Sequence, residues 1–266
     1  MSSPRNCLGL LDFWRFLYYS MGMLKTEKTD KIYIYGKHAV EEALLNKKHI
    51  IEEILFIHTD DRIYDLAKNA KIKTSKLNPD SLPRWVEEDA VHQGVIALIS
   101  ERKLVISYKE LISDLKINKK TSIVILGELQ DPQNVGAIIR SAVAFGVSAI
   151  CIPEHNQAQI TSSVIKVSAG MAFKIPLVQI GNVNHTVRDL KDKGFWIYGL
   201  DMKSDNPITR EKFDSPTVFI LGNEGKGIRQ KTHELCDIIL SIPIDKKCES
   251  LNVASSASVV FYEWNK

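Results

Sequence analysis

Ser122–Pro153, SIVILGELQDPQNVGAIIRSAVAFGVSAICIP, is the stretch on which the fold turns. It opens on an apolar run, Ser122–Leu126, and closes on another, Ala149–Ile152. Between them Asp131-Pro132 signals a helix start, and Gly146 marks its end. Apolar Ile138, Ile139, Ala142 and Val143 fall inside those limits, so the spacing predicts a helix from about Gln133 to Phe145. Two strands joined by a helix form a parallel crossover. Strands that run apolar without alternation are covered on both faces.

Working toward the C-terminus, Phe195–Leu200, Thr217–Leu221 and Ile238–Ile242 repeat the pattern, with helical stretches between them. The expected fold class is therefore α/β, with a parallel sheet between helices in the C-terminal part. Ligands of such sheets bind beyond the carboxyl ends of the strands. Working toward the N-terminus, KIYIYGKHAVEEALLNKK reads as a short strand, a turn at Gly36 and a helix over about Ala39–Asn46. Ile51–His58 reads as a strand, Ile63–Asn69 as a helix and Val91–Ser100 as a further apolar run. The expected organisation is an extension (1–30), a small α/β domain (31–100), a charged linker (101–108) and the larger domain (109–266). Within the extension, the apolar Leu8–Leu24 is interrupted by Asp12 and Arg15 and is shorter than the about 20 residues of a spanning helix. An overlong start, an interfacial anchor and a targeting segment stay open for it.

At 266 residues, 44% hydrophobic and 25% charged, the composition is that of a folded globular protein rather than a disordered or fibrous one. A net charge of +3 permits an anionic partner without demanding one. The cysteines Cys7, Cys151, Cys236 and Cys248 are too scattered for a zinc site or disulfide framework, so reduced thiols, no metal and a cytoplasmic setting are expected.

Three segments carry the chemistry. Helix residues Asn134 and Arg140 follow the first strand, and a guanidinium on a largely apolar helix suits a phosphate or carboxylate. Gly222-Asn223-Glu224-Gly225-Lys226-Gly227 follows Thr217–Leu221 and fits neither the dinucleotide fingerprint nor the phosphate loop, yet three glycines in six residues imply close backbone approach. Ser250-Leu251-Asn252 precedes a C-terminal helix rich in Ala and Ser, with Ser250 placed as its N-cap. Taken alone, each has an ordinary reading: a solvated arginine, a flexible turn, a helix cap.

Together and in this order, N-x-G-A-I-I-R-S-A, G-N-E-G-x-G and S-L-N-V-A-x-[SA]-A resemble the three motifs of the SpoU branch of the SPOUT methyltransferases, over about Thr121–Trp264. The upstream segment, from YGKHAVEEAL to VHQGVIA, is similar to the small substrate-binding domain of the RlmB-type ribosomal RNA branch, which single-domain tRNA relatives of the TrmH type lack. The resemblance implies a deep trefoil knot in the C-terminal domain, a homodimer, and S-adenosylmethionine as the methyl donor for a ribose 2'-oxygen in RNA, with a guanosine of 23S ribosomal RNA the expected target. By position it assigns Gly222, Ile242 and Leu251, with Leu221 and Pro243 beside them, to the cofactor. It assigns Asn134, Arg140, Glu224, Ser250 and Asn252 to catalysis and RNA. An arginine base is chemically awkward, because the guanidinium pKa exceeds about 12. The expected role of Arg140 is to bind the target phosphate and stabilise charge developing on the 2'-oxygen, with Asn134 and Glu224 orienting it. The alternatives are a tRNA methyltransferase and, from another class, a non-catalytic RNA-binding ribosome-assembly factor. A nucleotide-binding oxidoreductase is disfavoured by the missing fingerprint. The lysines of the small domain, among them Lys37, Lys47 and Lys68, offer either an RNA-facing surface or a solvated face.

Overall fold

The computed structural model describes residues 31–59, 62–79, 81–83, 86 and 91–266, so the readings of the N-terminal extension lie outside the described residues. The first unit along the chain comprises β1 (Lys31–Tyr35), α1 (Lys37–Lys47), β2 (Ile51–Phe56), α2 (Arg62–Asn69), β3 (Lys73–Lys76) and β4 (Val95–Ser100). Its four strands form a mixed sheet in the order β1-β4-β2-β3, with β4 antiparallel to both neighbours and β2 parallel to β3.

Residues 101–108, expected to be a linker, are built into the structure. They form α3 (Glu101–Leu104) and β5 (Val105–Ser107), and β5 is the edge strand of the large sheet, parallel to β8 (Leu177–Ile180). Neither strand was legible in sequence. Three and four residues are too few to show a period, and Gln179 breaks the apolar run of β8.

The rest of the chain runs α4 (Tyr108–Asp114), β6 (Ser122–Leu126), α5 (Pro132–Ala144), β7 (Ala149–Pro153), α6 (Ser162–Val167), β8, α7 (Val183–Asp192), β9 (Trp196–Leu200), β10 (Thr217–Leu221), α8 (Gln230–His233), β11 (Ile238–Leu240) and α9 (Val253–Asn265). The seven strands are all parallel, in the order β11-β9-β10-β6-β7-β8-β5. Alternation along β6 explains its unbroken apolar run. Val124 and Leu126 enter one core with Ile138 and Ile139 of α5, whereas Ile123 and Ile125 enter the other with Val187 and Leu190 of α7.

Two features of this packing position the site. The small unit shares the first core through Ile34, Val40 and Phe56, and Lys174 pairs with Glu42 of α1 at 2.9 Å. At the other end of the chain, on α9, fully buried Phe261 packs tilted and partly buried Trp264 edge-on against Phe219 of β10. A fully buried side chain of this size contributes about 1.5–3 kcal/mol, so the contact anchors α9 and with it the segment that precedes the helix.

Candidate active site

β10 ends at Leu221, and the next residues fold back as a hairpin. Asn223 N donates to Gly227 O at 3.0 Å and Gly227 N to Asn223 O at 2.9 Å. The Asn223 carboxamide closes the turn by accepting from Gly225 N and Lys226 N at 3.0 and 3.1 Å. Its Nδ2 donates to Glu128 O at 2.8 Å, tying the hairpin to the loop after β6. Glycine is required at two points. A Cβ on residue 222 would lie 2.3 Å from the Gly227 carbonyl carbon, and Gly227 has φ +66.

The hairpin presents Glu224 to the start of α5. Asp131 caps that helix by accepting from Gln133 N at 2.8 Å, with Pro132 in the first turn, as the sequence signals predicted. The Glu224 carboxylate accepts from the side chain of Asn134 at 3.1 Å and from the backbone N–H groups of Asp131 and Gln130 at 3.4 and 3.5 Å. Partial burial raises its pKa, but the hydrogen bonds from its own backbone, Asn134, Asp131 and Gln130 together hold the carboxyl below its ordinary value.

Asn134 links this carboxylate to the third segment. Its Oδ1 accepts from Asn252 Nδ2 at 2.8 Å, and Asn252 Oδ1 accepts from Ala254 N and Ser255 N at 2.8 and 3.4 Å. Asn252, not Ser250, is therefore the N-cap of α9. Ser250 lies two residues outside the cap, where its carbonyl accepts from the Cys248 thiol. The tertiary contact selects the cap, because Asn252 alone satisfies the helix and Asn134 together. The result is a directional chain. A carboxylate that only accepts stands at one end and helix N–H groups that only donate stand at the other, so the orientation of both carboxamides is determined.

A cavity of about 620 Å³ adjoins this chain. Leu221, Gly222, Glu224, Ile242, Ser250, Leu251 and Asn252 all line it, so two of the three segments meet there. Pro243 does not line it, although its neighbours Ile242 and Ile244 do. Asn134 reaches the site only through Glu224 and Asn252, and Arg140 is exposed on α5, off the cavity lining, with no hydrogen bond or ion pair among the described residues. Leu200, the last residue of β9, and Asp201, Met202 and Lys203 after it also line the cavity and were missed in sequence. Their one sequence signal is position, at the carboxyl end of a strand neighbouring β10. The cavity suits a ligand with an apolar part and several polar atoms. Leucine and isoleucine side chains form its walls, and the backbone N–H groups of Gly222, Ile242 and Leu251 make no hydrogen bond among the described residues.

Comparison with known proteins finds two family matches along the chain. Residues 121–262 match the SpoU rRNA Methylase family, and residues 33–105 match a domain described as RNA 2'-O ribose methyltransferase substrate binding. The chain is 34% identical over 237 residues to the 23S rRNA (guanosine-2'-O-)-methyltransferase RlmB of Neisseria meningitidis serogroup B, covering 86% of this chain and 93% of that protein. It is 32% identical to the RlmB of Shewanella oneidensis, covering 86% and 95% respectively. The SpoU methyltransferase AviRb of Streptomyces viridochromogenes, solved in complex with the cofactor AdoMet, shares the fold with a TM-score of 0.74 at 20% identity, over 97% of each chain.

Proposed function

The chain belongs to the SpoU rRNA methylase family, and on that footing we propose that it transfers a methyl group from S-adenosylmethionine to a ribose 2'-oxygen in RNA, with a guanosine of 23S ribosomal RNA as its target. One observation carries the reading: the chain Glu224–Asn134–Asn252 unites three distant segments at the rim of a cavity with apolar walls and backbone donors free among the described residues. When bound, the cofactor supplies an electrophilic methyl carbon on a sulfonium.

The residues divide the remaining work. Gly222, Ile242 and Leu251 offer backbone donors to the cofactor's polar atoms, and the apolar walls, Leu221 among them, take its adenine. Pro243, between the lining residues Ile242 and Ile244, fixes the backbone of the segment that passes the cofactor. Glu224 stays ionised and, with Asn134, orients the ribose hydroxyl, while Ser250 and Asn252 hold the loop that faces it. Arg140 binds the target phosphate and stabilises charge on the 2'-oxygen as the proton leaves to solvent. Holding the oxygen in line with the methyl carbon supplies several kcal/mol of the barrier.

We further propose that the protein acts in the cytoplasm as a homodimer through the α5–α9 face, and that the C-terminal passage is knotted. Val259 and Tyr262 of α9 are exposed there, with Tyr262 edge-on to Phe145, which supports a covered surface beside Arg140. Among the described residues no helix is long and apolar enough to cross a membrane. Incubation with radiolabelled S-adenosylmethionine and transcribed 23S RNA, followed by mapping of 2'-O-methyl positions, tests the function. Label on one guanosine supports it, label only on tRNA redirects it, and no transfer with intact RNA binding supports a ribosome-assembly factor instead.

A further inference from the structure

A second cavity, of about 220 Å³, shares Gly222, Gly227 and Ile228 with the first as a common wall. It belongs to the other face of the sheet: Ile220, which lines it, packs in the α7 core, whereas Leu221, which lines the first, packs in the α5 core. It opens where β6, β7 and β8 end, bounded by Glu128, His155, Asn156, Asn182 and Asn184. Its volume is below the about 300–1,000 Å³ of sites for drug-sized ligands and suits a single ring system with its substituents.

The lining is polar yet has no unpaired cation. The Arg229 guanidinium is held by both carboxylate oxygens of Glu128, with Nε donating to Oε2 at 3.0 Å. The uncommitted groups are the side chains of His155 and Asn156 and the carboxamide donors of Asn182 and Asn184. Asn182 Oδ1 is occupied by His185 N at 3.1 Å, and Asn184 Oδ1 accepts from Thr232 Oγ1 at 2.7 Å. Each carboxamide is thereby fixed in orientation, and its NH2 group has no partner among the described residues. A site that offers fixed carboxamide donors and no free lysine or arginine is matched to carbonyl and ring-nitrogen acceptors rather than to phosphate.

We propose that this cavity receives one unpaired base of the RNA substrate and that Asn182 and Asn184 read acceptor atoms on its edge. RNA sequence is recognised in this way, on bases splayed out of the helix. A base seated here lies across the Gly222–Gly227 hairpin from the methyl donor, so the strand that carries it passes the rim where the 2'-oxygen must react. The inference rests on the proposed methyl transfer to RNA.

The test uses Asn182→Asp and Asn184→Asp in the full-length protein. Each substitution keeps the acceptor oxygen that caps α7 or meets Thr232 and replaces the donor with a second, negatively charged acceptor. The substrate is a 23S RNA fragment carrying the guanosine that the wild type methylates, prepared as a series with one abasic ribose at each unpaired position. The wild type is expected to lose tenfold or more in kcat/KM at one abasic position. The double variant is expected to start about tenfold lower on intact RNA, bind S-adenosylmethionine as before, and show no further loss at that position. Identical abasic profiles for wild type and variant overturn the base-reading site while leaving methylation standing. A wild type that methylates no RNA fails both the site and the function on which it rests.

Discussion

Asn252 donates to Asn134 at 2.8 Å across 118 residues of sequence, and through this bond the cap of the last helix is coupled to the carboxylate of Glu224. The coupling has a polarity that can be broken without changing shape. Asn252→Asp keeps the cap but sets an oxygen against Asn134 Oδ1, and Asn134 cannot turn over because its NH2 group serves Glu224. Methylation is expected to fall at least tenfold at neutral pH, with recovery as the new carboxyl protonates in acid. Asn252→Ser, which also retains a cap, is expected to show no such recovery. Full activity of Asn252→Asp at neutral pH would remove the coupling from the mechanism.

Arg140 is exposed and has no partner among the described residues, so its removal leaves no buried charge and the protein stable. Arg140→Ala is expected to lower kcat by about 10²–10³, the cost of deleting one group that stabilises developing charge, with cofactor affinity nearly unchanged. Turnover within a few-fold of wild type, measured by single-turnover methyl transfer, refutes the role.

Glu224 is held below the usual carboxylate range by its donors in the folded state. A carboxyl with a lowered folded pKa contributes stability above its unfolded pKa, about 4.3, and that contribution disappears as pH falls through the folded value. The melting-temperature difference between wild type and Glu224→Gln is therefore expected to be constant from neutral pH down to about 5 and to shrink below about 4.3. A difference that grows in acid contradicts the assignment of donors.

The hairpin glycines separate cleanly. Gly222→Ala forces a Cβ to within 2.3 Å of backbone and is expected to lower the melting temperature and weaken S-adenosylmethionine binding by tenfold or more. Gly225→Ala meets its nearest atom at 3.8 Å without positive φ, and its effect on stability is expected to stay within about 0.5 kcal/mol. Equal effects at the two positions, by calorimetry, refute the close-approach argument.

Much of this protein was legible in its sequence, because the responsible forces are local or periodic. Apolar runs such as Ser122–Leu126 and Thr217–Leu221 report burial on both faces of a strand, and Asp131-Pro132 reports a helix start, before any tertiary contact is known. The three segments Asn134–Arg140, Gly222–Gly227 and Ser250–Asn252, by their order, were enough to point to methyl transfer. Only the tertiary structure decided how they share the work. It chose Asn252 over Ser250 as the cap, kept Arg140 in solvent, added β5 and β8 to the sheet, and opened a second cavity behind the hairpin. Each of these outcomes depends on residues far apart in the chain, as Asn134 and Asn252 are. No periodicity encodes such a meeting; the packing of α9 on β10 through Phe219 and Phe261 creates it.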